Sequence, residues 1–242
     1  MKTSILATAS LSLLAASAFA GTPSPKAPQP VVDAAPPSQA GFFIGAEGGG
    51  FWLNDVSAGS LPHVDVKFKD GYGYDVPVGY DFGNGLSLGV SAGYDKADFK
   101  SVTGSVGGSS QSAATHGEMQ FIPVMGNLSY SVKLVGNLSW NIGAGAGAVR
   151  TRAKFTAFDS PADRSITFGQ LGGATSVFGG LDDTRWDFGF QAFSGLSYEI
   201  VPGASINVGY HYLRTNDKMT VNGDSASDFS GHMAVAGFVW KF

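Results

Sequence analysis

The stretch Ser230–Phe242, SGHMAVAGFVWKF, decides how the rest of the chain reads. Counting back from Phe242, every second residue (Trp240, Phe238, Ala236, Ala234) is apolar or small, while the intervening set is Lys241, Val239, Gly237, Val235 and Met233. Side chains alternate faces along a strand, so one face is greasy and ends in rings, and the other is mixed. Rings exposed at a chain terminus gain nothing in water. At a membrane interface the same rings belong to an aromatic girdle.

Past residue 40 the alternation recurs seven more times. The first strand, about Gly41–Leu53, sets Phe42, Ile44, Ala46 and Trp52 against Phe43, Glu47 and Phe51. In the second, Tyr72, Tyr74, Val76, Val78, Tyr80 and Phe82 oppose Asp75, Gly79 and Asp81, and the even register is expected to extend back through Phe68, Val66 and Val64. The third, about Leu86–Phe99, sets Leu86, Leu88, Val90, Ala92 and Tyr94 against Ser87, Ser91 and Asp95. The fourth, about Glu118–Lys133, is the least regular, with Ile122, Val124, Leu128 and Tyr130 on the greasy side. Pro123 lacks a ladder donor and is expected to mark a bulge or local break there. In the fifth, Leu138 to Ala148 alternate with Ser139, Asn141, Gly143, Gly145 and Gly147. The sixth, about Thr184–Ile200, sets Trp186, Phe188, Phe190, Ala192, Leu196, Tyr198 and Ile200 against Asp187, Gln191, Ser197 and Glu199. In the seventh, Ala204, Ile206, Val208, Tyr210 and Tyr212 oppose Ser205, Asn207 and His211. The opening stretch is the eighth.

The connections alternate between short and long. Gly83-Asn84-Gly85, Leu134-Val135-Gly136 and Val201-Pro202-Gly203 are tight turns, built on residues that tolerate positive φ. Residues 54–63, 100–117, 156–183 and 216–229 read as long loops rich in Gly, Ser, Asp and Asn. A soluble sandwich has no reason to sort its connections this way. An outer-membrane barrel has short periplasmic turns and long external loops. In hydrocarbon an open sheet edge cannot be satisfied, so the first and eighth strands must close on each other. A lipocalin-type cup would be greasy inside. Here the mixed face carries Asp, Asn, Ser and Gly, which puts lipid outside. The expected fold is therefore all-β, a closed antiparallel eight-stranded transmembrane up-and-down β-barrel over residues 41–242.

Composition agrees. Charged residues are 14% of the chain and Gly numbers 35 of 242 residues, about twice its usual share. The net charge of −4, spread along the chain, leaves no basic footprint for nucleic acid. Met1–Ala20 reads as a signal peptide: Lys2, an apolar run from Ile5 to Ala16 that is too short to span, and Ala18-Phe19-Ala20 as the cleavage site. No Cys follows the site, which excludes a lipid anchor. Residues 21–40, with six prolines, read as a stiff periplasmic tether. Both termini are then expected in the periplasm.

Residues 41–242 resemble the small outer-membrane β-barrel family that includes the OmpA membrane domain and the Opa and OmpX proteins. The opening GFFIGAEGGGFW, with Gly41, Phe42, Ile44, Gly45 and Trp52, is similar to the first strand of its porin-like branch. Phe242, with Trp240 and Phe238, is similar to the terminal signal that the family's barrel-assembly machinery reads. The resemblance implies a bacterial outer-membrane location, in contact with lipid and lipopolysaccharide. It does not imply a single function. No peptidoglycan-binding domain follows Phe242, so wall anchoring of the OmpA kind is not expected.

Function has two places to reside. Eight strands leave a lumen just wide enough for side chains to fill. Inward Gly143, Gly145 and Gly147 leave room for large neighbours such as Phe121, Met125 and Phe193, which predicts a packed plug. Against that, the inward charges Glu47, Asp75, Asp81, Asp95, Asp187 and Glu199 outnumber Lys133 and Lys241. Asp81, Glu199, Lys133 and Lys241 are expected to pair near the periplasmic mouth. Glu47 and Asp75 lie mid-height with His211 as the nearest basic group, an arrangement that suits a narrow, cation-preferring, pH-sensitive path. The long loop 156–183, with Phe158, Phe168 and Phe178, suits a host or matrix ligand. His63, His116 and His232 form no spacing with Ser or Glu that suggests catalysis, four scattered His suggest no metal, and no cofactor is expected. Gly48-Gly49-Gly50 lies inside a strand and lacks the Lys-Ser/Thr ending of a phosphate loop.

Overall fold

Alternation becomes architecture through eight long antiparallel strands. The computed structural model describes residues 40–58, 63–106, 109–158, 182–216, 220–221, 224–225 and 228–242. Residues 1–39, which hold the expected signal peptide and nearly all of the expected tether, together with Phe168 and Phe178, lie outside them. The elements are β1 (Gly41–Leu53), β2 (Val56–Ala58), β3 (His63–Phe68), β4 (Gly71–Asp81), β5 (Leu86–Val106), β6 (Ser109–Val135), β7 (Leu138–Phe158), β8 (Asp182–Val201), β9 (Ala204–Thr215), β10 (Thr220–Val221), β11 (Asp224–Ser225) and β12 (Ser230–Lys241). Hydrogen-bonded neighbours run β4-β1-β12-β9-β8-β7-β6, and β5 joins both β4 and β6, so the sheet closes into an all-β antiparallel barrel of eight strands. The first and last strands are joined from Phe43↔Lys241 to Leu53↔Gly231.

The greasy residues point out. Phe42, Ile44, Trp52, Tyr72, Tyr74, Leu88, Val90, Val124, Leu128, Ile142, Trp186, Phe188, Ile206, Val208, Phe238 and Trp240 are all exposed on the outer wall, while Phe51, Phe121, Met125, Val149 and Met233 are buried inside. Aliphatic rows lie between rings at the two ends, as a bilayer demands. One end, here the turn end, holds both Gly41 and Phe242 and the tight turns. There Gly83, Gly85, Gly136 and Gly203 take positive φ, where a side chain would be strained. The other is the far end.

Several expectations are corrected. Residues 100–106 and 109–117 are not loop: β5 and β6 stay paired out to Val106↔Ser109, and their 21 and 27 residues far exceed the roughly 9–11 that cross a bilayer. Likewise 54–63 contains β2 and the start of β3, while β7 runs on to Phe158 before 159–181, which lie outside the description. The even register of the second strand does not run back past Tyr72. It breaks at Lys69–Asp70, just past the register shift against β5 at Lys67/Phe68, and Phe68 packs against the buried cluster instead. Val66 sits in one row with the buried Val56 and Val102, so it too faces inward. Of the two forms expected at Pro123, the local break is found and the bulge is not. The register from Ala92↔Val124 to Asp95↔Phe121 is unchanged, and only the pairing between them is missing, the local cost of a lost N–H. The fourth strand runs through Val135, so the turn is Gly136-Asn137.

Candidate functional site

From the turn end upward, the lumen is layered. At its mouth Lys241 Nζ lies 2.7 Å from Asp81 Oδ2, while Asp81 Oδ1 accepts the Gly83 N–H at 2.7 Å. Glu199 Oε1 accepts the Gly203 N–H at 3.0 Å, so this carboxylate ties a turn and not a lysine. Lys133 is exposed and joins neither group, contrary to the four-residue pairing expected from sequence. One layer further in, Asn141 Nδ2 donates to Ser197 Oγ at 2.5 Å, and Ser197 Oγ donates to Asn207 Oδ1 at 2.7 Å.

The middle layer holds the acidic cluster. Glu47 and Asp75 are direct ladder partners on β1 and β4, and His211 Nε2 lies 3.3 Å from Glu47 Oε2. Asp75 takes a hydrogen bond from the Ser91 hydroxyl. Ser91 in turn accepts from Asn127 Nδ2 at 3.0 Å, and Asn127 Oδ1 accepts from Gln191 Nε2 at 2.5 Å. Four strands thereby share one polar chain. Asp95, only 5% exposed, stands near Asp75 and His211, with no lysine or arginine beside it among the described residues. The cavity among these groups is about 20 Å³, room for roughly one water. Sequence reading placed the carboxylates and His211 inside, but it missed Asn127 as the link. The signal was its odd position opposite Leu128, and the partners lie 36 and 64 residues away.

Above the cluster the lumen is apolar. Phe51 and Phe121 meet with centroids 6.0 Å apart, and Phe121 meets Phe229 at 6.1 Å, so rings from β1, β6 and the approach to β12 touch across the interior. Met125, Val149, Leu213 and Met233 fill the spaces between. A Cβ on Gly143 would stand 2.3 Å from the Phe193 ring, and one on Gly147 would meet Met125 Sδ at 3.0 Å. These glycines make room for Phe193 and Met125, as expected. Phe121 packs elsewhere. Asp187 also turns inward near the far end, its Oδ2 without a hydrogen-bond partner among the described residues.

The outer wall carries its own polar groups at the far end. Lys96 Nζ lies 2.5 Å from Glu118 Oε2 and 3.9 Å from Asp98. The Lys96 hydrogen bond holds the Glu118 carboxyl below its usual range, and the same bond raises Lys96. Arg214 is paired with Asp228 at 2.6 Å. His232 bonds the Tyr210 hydroxyl and, at 3.1 Å, Asn54 Nδ2, with no carboxylate in the set. His116 is exposed on a strand that does not touch β12, and the His63 side chain is not among those described. Among the described residues no group of three or more His, Asp or Glu could hold a metal ion.

Residues 6–242 match the outer membrane protein β-barrel domain family, and the chain belongs to that family. It is therefore a bacterial outer-membrane β-barrel protein. Among solved structures it is similar to Neisserial surface protein A (17% identity, 84% of this chain and 99% of that one, TM-score 0.50). It is also similar to OprG of Pseudomonas aeruginosa (16%, 84% and 96%, TM-score 0.49) and to the outer membrane protease OmpT of Escherichia coli (11%, 84% and 97%, TM-score 0.47). At such identities the likeness is one of fold. No curated protein sequence matches the chain.

Proposed function

We propose that this protein is a sealed barrel whose role is surface interaction, adhesin-like, through the strand pairs that project from its far end. The observation that carries the reading is the contact of Phe51, Phe121 and Phe229 across the lumen, an apolar ring layer that suits a closed interior. The sorting of connections supports an orientation with the turn end and both termini in the periplasm and the far end outside the cell. The leader at 1–20 and the proline-rich tether at 21–40 suit the same orientation. The excess length of β5 and β6, with β3 and β2 paired along the β5 edge, then forms a strand projection into the medium, a better platform for recognition than a slack loop.

A second reading, a narrow cation-preferring path, is favoured by the three carboxylates Glu47, Asp75 and Asp95 gathered around one imidazole. Planar-bilayer recordings on the refolded protein separate the two. The sealed reading expects no stepwise conductance, together with loss of attachment to host cells or matrix when the projection is shortened across 101–114. Cation currents that fall on Glu47→Gln would replace it with the second reading. Attachment untouched by the shortening would remove the surface role from that hairpin.

A further inference from the structure

The inward carboxylates do not share one fate. Asp81 has the Lys241 ammonium, and Glu199 takes the Gly203 N–H. Glu47 faces the His211 imidazole at 3.3 Å. Asp75 accepts from the Ser91 hydroxyl. Asp95 has none of these. It is 5% exposed, yet among the described residues its carboxylate meets no hydrogen-bond donor and no ion-pair partner. Even a charged His211 is already taken by Glu47.

Two glycines shape the place where it lies. On β4 and β5 the ladder pairs Gly73↔Asp95 and Asp75↔Gly93 set each carboxylate opposite a residue without a side chain. A Cβ on Gly73 would strike Asp95 Oδ1, and one on Gly93 would stand 3.0 Å from Asp75 Oδ1. The two aspartates are thus diagonal neighbours on the inner face, a spacing of roughly 7–8 Å between backbones. Both line the same cavity of about 20 Å³. Gln191 reaches it from β8. Its Nε2 donates to Asn127, so its Oε1 is left without a partner among the described residues. What β6, β9 and β12 add beside His211 is apolar (Pro123, Leu213, Met233), and no lysine or arginine lines the space.

We propose that Asp75, Asp95 and Gln191 form a site that holds one sodium-sized monovalent cation inside the barrel. Hard cations take oxygen ligands, and these side chains present carboxylate and amide oxygens from three strands. The ion supplies the counter-charge that Asp95 lacks. A water cannot, since a buried ionised carboxylate is tolerated only when it is paired. The size of the cavity argues for a small ion of single charge. It has room for about one water-sized body, so the waters that magnesium keeps and the roughly six to eight oxygens that calcium takes do not fit. Because the ion is held and not passed, the assignment goes beyond both readings of function and depends on neither.

The test refolds the protein in detergent at alkaline pH and constant ionic strength, with sodium exchanged against N-methylglucamine, a cation too large for the cavity. Unfolding by urea is followed by heat-modifiable gel mobility. A ligand bound only by the folded state acts by mass action, so the unfolding constant should fall about tenfold for each tenfold rise in sodium above the dissociation constant. Asp95→Asn should abolish that dependence and Asp75→Asn should weaken it. Glu118→Gln, on the outer wall, should keep all of it. Equal stability in sodium and N-methylglucamine overturns the site, as does a sodium dependence that survives Asp95→Asn. Stability that ignores sodium and rises on acidification also overturns it, and gives Asp95 a proton in the ion's place. Should Asp95→Asn fail to fold, the wild type decides. A sodium-23 resonance broadened more by the folded barrel than by the urea-unfolded chain supports the site, and equal widths overturn it.

Discussion

At the scale of single residues, environment and not identity decides what each charge does. Glu118 and Glu47 are both glutamates beside a basic group, yet one stands on the outer wall beside Lys96 and the other lies within the lumen beside His211. For Glu118 the consequence is a pH dependence. Its carboxyl is held below the ordinary 4.5 by Lys96, with Lys154 and Gln120 adding to the effect. A folded-state value below the unfolded one stabilises above the unfolded value and is lost as pH falls through the folded one. The pair is partly exposed, so the contribution is under about 1 kcal/mol. Unfolding in detergent between neutral pH and roughly pH 3 should therefore show wild type and Glu118→Gln apart at neutral pH and converging in acid. Parallel curves would show that the pair adds nothing. The inward position of Glu47, Asp75 and Asp95 was legible in the sequence, because parity along a strand fixes the face. The chain from Asp75 through Ser91 and Asn127 to Gln191 was not, since it depends on which rows four separate strands bring level.

At the scale of elements, the same parity identified all eight spanning strands and failed where neighbours dictate geometry. Gly and Ser across 101–106 and 109–114 read as loop because glycine is depleted in strands and small polar residues give no greasy alternation. They pair nonetheless, because β5 and β6 leave the membrane already in register and each further ladder bond comes without a new closure cost. The break at Lys69–Asp70 was equally hidden: Phe68 turns inward to join Phe99 at 5.3 Å, a contact set by the partner strand. The final strand was the most legible. Phe242 donates its N–H to Phe42 O at 2.8 Å, and its ring, 71% exposed, stacks at 6.5 Å on Phe42. The last residue therefore closes the seam between β1 and β12 at the turn end. If the terminal aromatics also direct assembly, Phe242→Ser should lower the heat-modifiable, folded fraction in the outer membrane several-fold, while protein refolded in detergent loses little stability. Equal losses in both would reduce Phe242 to a packing residue.

At the scale of the whole molecule, the sealed reading makes conduction a property of a few rings, because the ring layer begins at Phe121, level with Asp95, and lies on the far side of Glu47 and Asp75. Phe121 is 1% exposed and touches both Phe51 and Phe229, so it is the central ring of that layer. Removing one such ring from a packed interior costs about 3–5 kcal/mol, which a closed ladder of eight long strands can absorb without opening at its edges. The double substitution Phe51→Ala and Phe121→Ala should accordingly leave a folded barrel whose lumen joins the polar layer at Asp75 and Asp95 to the far mouth. Bilayer recordings are then expected to show small steps absent from wild type, with cations favoured because Glu47, Asp75 and Asp95 line the newly opened path against the single imidazole of His211. Restoring silence with Glu47→Gln in the opened variant would place the selectivity in that layer. A folded double variant that stays silent would put the barrier lower, in the Gln191–Asn127–Ser91 layer, whose hydrogen bonds would then close the lumen without help from the rings.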